Sequence, residues 1–292
     1  MKNNILVTVF MVFVLLLPLK GEGEKKIEFV ISSGISLLNP ESLVIKNNGI
    51  DSSVSQYAES IQYNYKTVGK FKNMMTGLPI SITVNYRLSN DLYLKFGGEY
   101  ETIGNSYDKT YSISWPSFTE KMSYTIENSI KNIIPFVGIE KRFSSFGIYG
   151  IIGLNITSFV YKNILDLSGG SYNLKKITDI KANGKGIALY IGAKYMIKLK
   201  KKFGFLIKAE YVYRTIGSFS GKKSYKVSDS VGGDKSVIES GDLYMYDLDP
   251  YGKGSFKWWD MHKGLPNKSN IKNVESFSLN HSSIRIMLGF TF

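Results

Sequence analysis

The chain alternates between apolar and polar positions. Over its last ten residues Ile284, Ile286, Leu288, Phe290 and Phe292 occupy every second position, with Ser283, Arg285, Met287, Gly289 and Thr291 between them. Successive side chains of a strand point to opposite faces, so this segment has one apolar, uncharged face and one mixed face. The same period of two runs through 78–88, 92–100, 187–197 and 203–213. Weaker versions occupy 27–37, where Ser33 interrupts the apolar face, 133–141 and 148–156. Pro79 and Pro135 each remove a ladder donor and predict a local irregularity.

These are eight strands of about 10 to 14 residues, the length of a tilted membrane span. Their spacing alternates. Short links at 89–90, 143–146 and 200–202 contrast with long ones at 39–76, 105–128, 161–183 and 217–279. Short turns at one end and long loops at the other predict an all-β fold: an eight-stranded antiparallel transmembrane up-and-down barrel, with turns periplasmic and loops extracellular. Within the last loop, 242–246 and 256–259 are candidates for an extra strand pair.

The beginning of the chain bears on compartment. Lys2 precedes an apolar run over 5–19, broken only by Thr8 and Pro18, and 20–23 supply small residues for a cut. A run of about 15 residues suits a cleavable signal peptide better than a spanning helix, which needs about 20. The expected division is a signal over 1–23 and an outer-membrane barrel domain over 24–292. The sequence has no Cys, which excludes a lipoprotein anchor and disulfides. No later segment approaches 18 consecutive apolar residues, so a bundle of spanning helices is excluded.

Composition sharpens this picture. Of 20 Tyr and 17 Phe, the outward Tyr86, Tyr100, Tyr195, Tyr211, Tyr213, Phe203, Phe290 and Phe292 fall toward strand ends, as in the aromatic girdles of membrane barrels. The polar face carries both signs of charge. A soluble sandwich would turn that face to water, whereas a barrel encloses it, and enclosed charges need partners. Glu99, Lys194, Lys208, Glu210 and Arg285 fall near mid-height and predict a lumen ion-pair layer with Glu210 between Lys194 and Arg285. The alternative is a wet lumen with loose pairing.

In topology, and in the alternating strand that ends on Phe292, the chain resembles the small outer-membrane barrel groups: OmpW, OmpX and the opacity proteins. The resemblance implies that Ile284, Ile286, Leu288, Phe290 and Phe292 form the signal read by the barrel-assembly machinery. It also implies, through OmpW, a small passive pore or hydrophobic-compound channel. Inward glycines such as Gly97, Gly153 and Gly192 leave space for one, while Tyr93, Tyr190 and the charged layer oppose it.

The preferred function is surface interaction or adhesion through the long loops. Tyr244, Tyr246, Tyr251, Phe256, Trp258 and Trp259 form the candidate surface-binding loop, because Tyr and Trp are common interface anchors. The alternative is that they pack as a satellite cluster over the barrel mouth. An enzyme is not expected. His281-Ser282-Ser283 has the His-x-Ser spacing of lipid A deacylases without the carboxylate after the serine. Asp260-Met261-His262 resembles the Asp-x-His pair of omptin proteases without the second acidic pair. Asp247-Leu248-Asp249 lacks the remaining ligands of a calcium loop, so no metal and no cofactor is expected. The net charge of +13 on an exported chain points to anionic lipid headgroups, acidic glycans or host surface molecules rather than nucleic acid. A monomer in outer-membrane lipid is expected.

Overall fold

The computed structural model describes residues 27–38, 40–70, 75–200 and 203–292. The signal-peptide expectation lies outside them. Strands are β1 (Ile27–Leu38), β2 (Tyr65–Gly69), β3 (Met75–Arg87), β4 (Leu92–Ser114), β5 (Thr119–Phe143), β6 (Phe146–Gly169), β7 (Tyr172–Lys200), β8 (Phe203–Asp229), β9 (Lys235–Leu248), β10 (Phe256–His262), β11 (Ile271–Ser276) and β12 (His281–Thr291). One helix, α1, spans Glu41–Ser60.

Eight strands close into a ring. Each of β3 to β8 pairs antiparallel with its successor, β8 pairs with β12, β12 with β1, and β1 with β3. Closure leaves no edge, which is what a sheet needs to sit in lipid. The outer face is apolar around the ring: Ile35, Leu78, Ile139, Ile152, Ile191 and Ile286 all project outward, with Ile191 73% exposed. No soluble protein offers water so continuous a belt, and the fold is a transmembrane barrel. Among the described residues no helix is long and apolar enough to cross a membrane.

Both prolines interrupt a ladder without shifting it. Beside Pro79 the β1–β3 pairing skips from Ser33↔Ile80 to Ser36↔Gly77, and beside Pro135 the β5–β6 pairing skips from Ile133↔Ile156 to Phe136↔Gly153. Ser33, the polar interruption on the outer face, donates its hydroxyl to the Pro79 carbonyl at 3.0 Å.

Three of the four expected long loops are corrected. β4 to β8 run 23 to 29 residues each, more than twice the roughly 9–11 that a span requires. Their far ends are tight hairpins, at 115–118 and 170–171, and 230–234 joins β8 to β9. The expectation ended each strand where its outward residues turned polar. On β5 the outward face reads Lys121, Ser123, Thr125, Glu127, Ser129 and Lys131 before Ile133, Val137 and Ile139 begin. The inward face changes in the opposite sense at the same height: Met122, Ile126 and Ile130 are buried, and they give way to Asn132 and, lower down, Glu140. Alternation therefore continues with its phase reversed. On β8 a bulge opposite Asn183–Lys185, with Ser218 at φ 51°, turns Phe219 inward.

The connection over 39–76 is long as expected, and it contains α1 and β2. Leu43, Ile50, Val54 and Ala58 are buried on one face, at the 3.6-residue period of a helix. The expected pair within the last loop is β9 and β10, with Trp258 opposite Tyr246.

Candidate functional site in the lumen and its cap

The membrane-spanning part of the lumen holds many charges. Strand alternation turns five carboxylates inward (Glu28, Glu99, Glu101, Glu140, Glu210) and six cations with them (Lys95, Arg142, Lys194, Lys208, Arg214, Arg285). In the central group Arg285, fully buried, contacts Glu99 and Glu101 at 2.8 Å each and Glu210 at 3.8 Å. Arg214 contacts Glu101 at 2.8 Å and Glu99 at 3.4 Å. Lys208 lies 3.5 Å from Glu210. Tyrosines complete the group: Tyr190 donates to Glu99 at 3.1 Å and Tyr149 to Glu210 at 2.7 Å. Arg214 also donates to the His281 ring nitrogen at 3.2 Å.

A second group lies nearer the short-turn end. Glu140 receives Lys95 at 2.5 Å, Lys194 at 2.8 Å and the Arg142 guanidinium, which also pairs with Glu28. One expectation is corrected here. Lys194 does not pair with Glu210, because it is directly opposite Lys208, while Glu210 is opposite Gly192. Lys194 reaches instead across β6, where Gly147 leaves the room: a Cβ there would meet the Glu140 carboxylate at 3.2 Å and the Lys194 chain at 3.5 Å. Glu99, Lys208, Glu210 and Arg285 come together, and Lys194 joins the lower group. Glu101, Glu140 and Arg214 were missed as members. Alternation puts them on the inward face, but only the relative stagger of the strands shows which charges share a level.

The inward glycines do not leave an open passage. Phe136 fills the space at Gly97, where a Cβ would stand 2.5 Å from its ring, and Tyr149 does the same at Gly192. Ile134, Phe136, Ile151, Ala188, Tyr190 and Val212 join Tyr149 in a buried apolar cluster on the inner face of β5 to β8.

Above the apolar belt the lumen is closed again, by α1. The helix is tied to β4 through Tyr107, which donates to Asn47 at 2.5 Å, and through Lys109 and Tyr111, which both reach Asp51. On its other side Trp259 donates its indole N–H to the Ser42 carbonyl at 2.9 Å. Gly49 permits the close approach of Trp258, whose ring would lie 2.7 Å from a Cβ. Lys46 is buried between these parts. Its ammonium donates to the Trp259 carbonyl at 2.6 Å and sits 3.4 Å from the Trp258 ring centre. Burial pushes this amine down to about 7, against the pull of Asp260. Asp260 itself pairs with Lys223 at 2.6 Å.

The candidate surface-binding residues divide. Trp259 is fully buried against Phe159, Tyr161 and Phe277, with ring centres 5.8, 4.9 and 5.0 Å away, and Tyr246 is buried too. As surface anchors these two are corrected, because the apolar interior of the strand extensions needs covering. Tyr244, Phe256 and Trp258 are half-buried, and Tyr251 is exposed. At the C-terminal strand Ile284, Ile286, Leu288, Phe290 and Phe292 all face outward, with Phe203 stacked on Phe290 at 5.4 Å. His262 touches the Tyr246 hydroxyl at 3.3 Å and His281 faces Arg214. Asp247 accepts from Asn273 and Asp249 from the Lys253 amide.

No protein-family model matches the chain, and no curated protein matches it. Among solved structures it is similar to the outer membrane protein OprG from Pseudomonas aeruginosa, at 13% identity and a TM-score of 0.33, over 94% of this chain and 99% of that one. The siderophore receptor PirA from Pseudomonas aeruginosa aligns at 6% identity and a TM-score of 0.09, over 94% of this chain and 82% of that one. Likenesses this distant add nothing to the ring of strand pairings, on which the fold rests.

Proposed function

We propose that this chain is an integral outer-membrane protein that acts through its surface, presenting a tall strand-built head for adhesion or another surface interaction. One observation carries the reading: β4 to β8 continue past the apolar belt into a second, water-facing storey with its own buried core. A barrel that only had to cross lipid would need none of that length. Function in such proteins concentrates on what a rigid scaffold holds away from the membrane. The exposed Tyr251, the half-buried Tyr244 and Phe256, and the lysines of the head suit an acidic glycan or an acidic host surface molecule.

The passive-pore reading, like the kinship to the OmpW, OmpX and opacity groups that suggests it, has less support. An ion would have to pass both α1 and the Arg285 group. Insertion by barrel-assembly machinery that reads 284–292, and a monomeric state in lipid, belong to the same proposal.

The test combines two measurements on the refolded, lipid-reconstituted chain, with heat-modifiable gel migration confirming folding. Proteoliposomes are expected to bind acidic-glycan surfaces saturably, with binding weakened by salt. In planar bilayers the same preparation is expected to stay silent. Discrete conductance steps together with no glycan binding above protein-free vesicles would turn the reading over in favour of the pore.

A further inference from the structure

The outer surface changes chemistry abruptly where the apolar belt ends, and it does so unevenly around the ring. On β5, β7 and β8 the first long side chains above the belt are lysines. Lys131 stands one outward position above Ile133, and Lys185 one above Ile187. Lys181 follows four residues beyond Lys185, directly opposite Lys222 on β8. All four are exposed. Lys131 falls between the other levels, because it pairs with Ser158, which pairs with Asn183, midway between Lys181 above and Lys185 below. On the neighbouring β4 and β3 the paired outward positions are Thr102, Gly104 and Thr76, none of them charged.

Among the described residues little negative charge balances this group. Like charges directly opposite on neighbouring strands are unfavourable, yet Lys181 and Lys222 form such a pair. Among the described residues Lys131, Lys185 and Lys222 make no ion pair, and Lys181 has only the half-buried Asp179 at 3.8 Å. Asp242, diagonal to Lys222 on β9, accepts from Ser220 at 2.6 Å, and Glu127 is taken by Lys162 at 3.2 Å. A cationic arc of net positive charge just above the height where lipid chains end and headgroups begin is complementary to headgroup phosphates.

We propose that the arc formed by Lys131, Lys181, Lys185 and Lys222 is a lipid-phosphate site, which binds anionic headgroups of the leaflet on the strand-extension side and fixes the depth and facing of the barrel in it. Lys181 and Lys222 converge on one phosphate. Lys185, four strand residues below at about 3.3 Å each, is placed for a second phosphate. The proposal rests on the barrel lying in a membrane but not on any surface partner, so it stands or falls apart from the adhesion reading.

The experiment compares the full chain with K131Q/K181Q/K185Q/K222Q and with K121Q/K226Q/K235Q/K253Q, which removes as many charges farther from the belt. Each is reconstituted in phosphatidylcholine discs with and without phosphatidic acid, and heat-modifiable migration establishes that each is folded. Retained phosphatidic acid is counted by native mass spectrometry and its affinity measured by titration. The arc variant is expected to lose affinity at least about tenfold, since each lysine at a lipid surface contributes roughly a fivefold factor. The distal variant is expected to bind as the parent does, and inorganic phosphate at equal phosphate concentration is expected not to displace the lipid. Equal binding by the parent and the arc variant, equal losses in both variants, or displacement by inorganic phosphate would each overturn the proposal.

Discussion

The storey in the membrane and the storey above it are built from the same strands on opposite plans. Within the belt, Ile139 and Ile191 face outward while Glu140 and Arg285 are enclosed. Above it, Lys121 and Thr125 face outward while Ile126, Ile130 and Phe159 are enclosed. The outer solvent decides the outer face, lipid in one case and water in the other. The inner face follows from what each storey can use as filling. The upper storey collapses on apolar side chains and α1 as any soluble core does. In the lower one the closed backbone ladder forms the wall, and paired charges share the filling with the Tyr149 and Phe136 apolar cluster.

The comparison yields tests that differ in size. The largest effect is expected from Arg285→Met, which leaves Glu99 and Glu101 enclosed with too little positive charge. Removing one partner of a buried ion pair costs about 3–5 kcal/mol, and urea unfolding in lipid vesicles should show the loss. Were the variant as stable as the parent, the lower lumen would be wet and loosely paired.

Ile130→Ala should cost somewhat less, about 2–4 kcal/mol, as a truncation in a closed core. Its damage should stay in the upper storey. Limited proteolysis is expected to cut near α1 while heat-modifiable migration persists. Loss of both together would mean that the two storeys form one cooperative unit.

A third test places the same charge on both outer faces. Ile191→Lys at mid-belt should destabilise by about 2–4 kcal/mol in vesicles, as cations on a lipid face do. Thr125→Lys, on the outer face above, should change stability by less than about 0.5 kcal/mol. Equal effects would place the belt boundary elsewhere.

The smallest effect concerns pH. The Lys46 amine falls from its ordinary 10.5 to about 7 in the folded cap. Between those values the unfolded chain holds more protons than the folded one, so stability of the cap rises as pH climbs from about 7 toward 10. Hydrogen-exchange protection over α1, corrected for the base-catalysed intrinsic rate, should rise across that interval in the parent and change less in Lys46→Met. An unchanged dependence in the variant would assign it to another group.

Much of this architecture is legible along the chain. The eight spans announce themselves because lipid demands an uncharged outer face at every second residue, and a strand cannot supply that by accident over ten positions. Glu99, Glu210 and Arg285 are placed inside by the same parity. The upper storey escapes such reading because its outward residues are ordinary polar ones. Its signal is the reversal of phase, at Ile103 on β4 and Ile130 on β5, which resembles the end of a strand until the continuation is traced. The period of α1, from Leu43 to Ala58, is also present but weak, since Lys46, Asn47 and Ser42 share its buried face.

By itself the sequence determined the number of spans, the side each residue faces and the sign of the charges enclosed, because all three depend on local periodicity and the solvent beyond the wall. Only the tertiary structure decided which charges meet. Lys194 joins Glu140 rather than Glu210, and Trp259 leaves the surface for the core beside Lys46, because these outcomes depend on strand stagger and on the space left at Gly147 and Gly49 by neighbours distant along the chain.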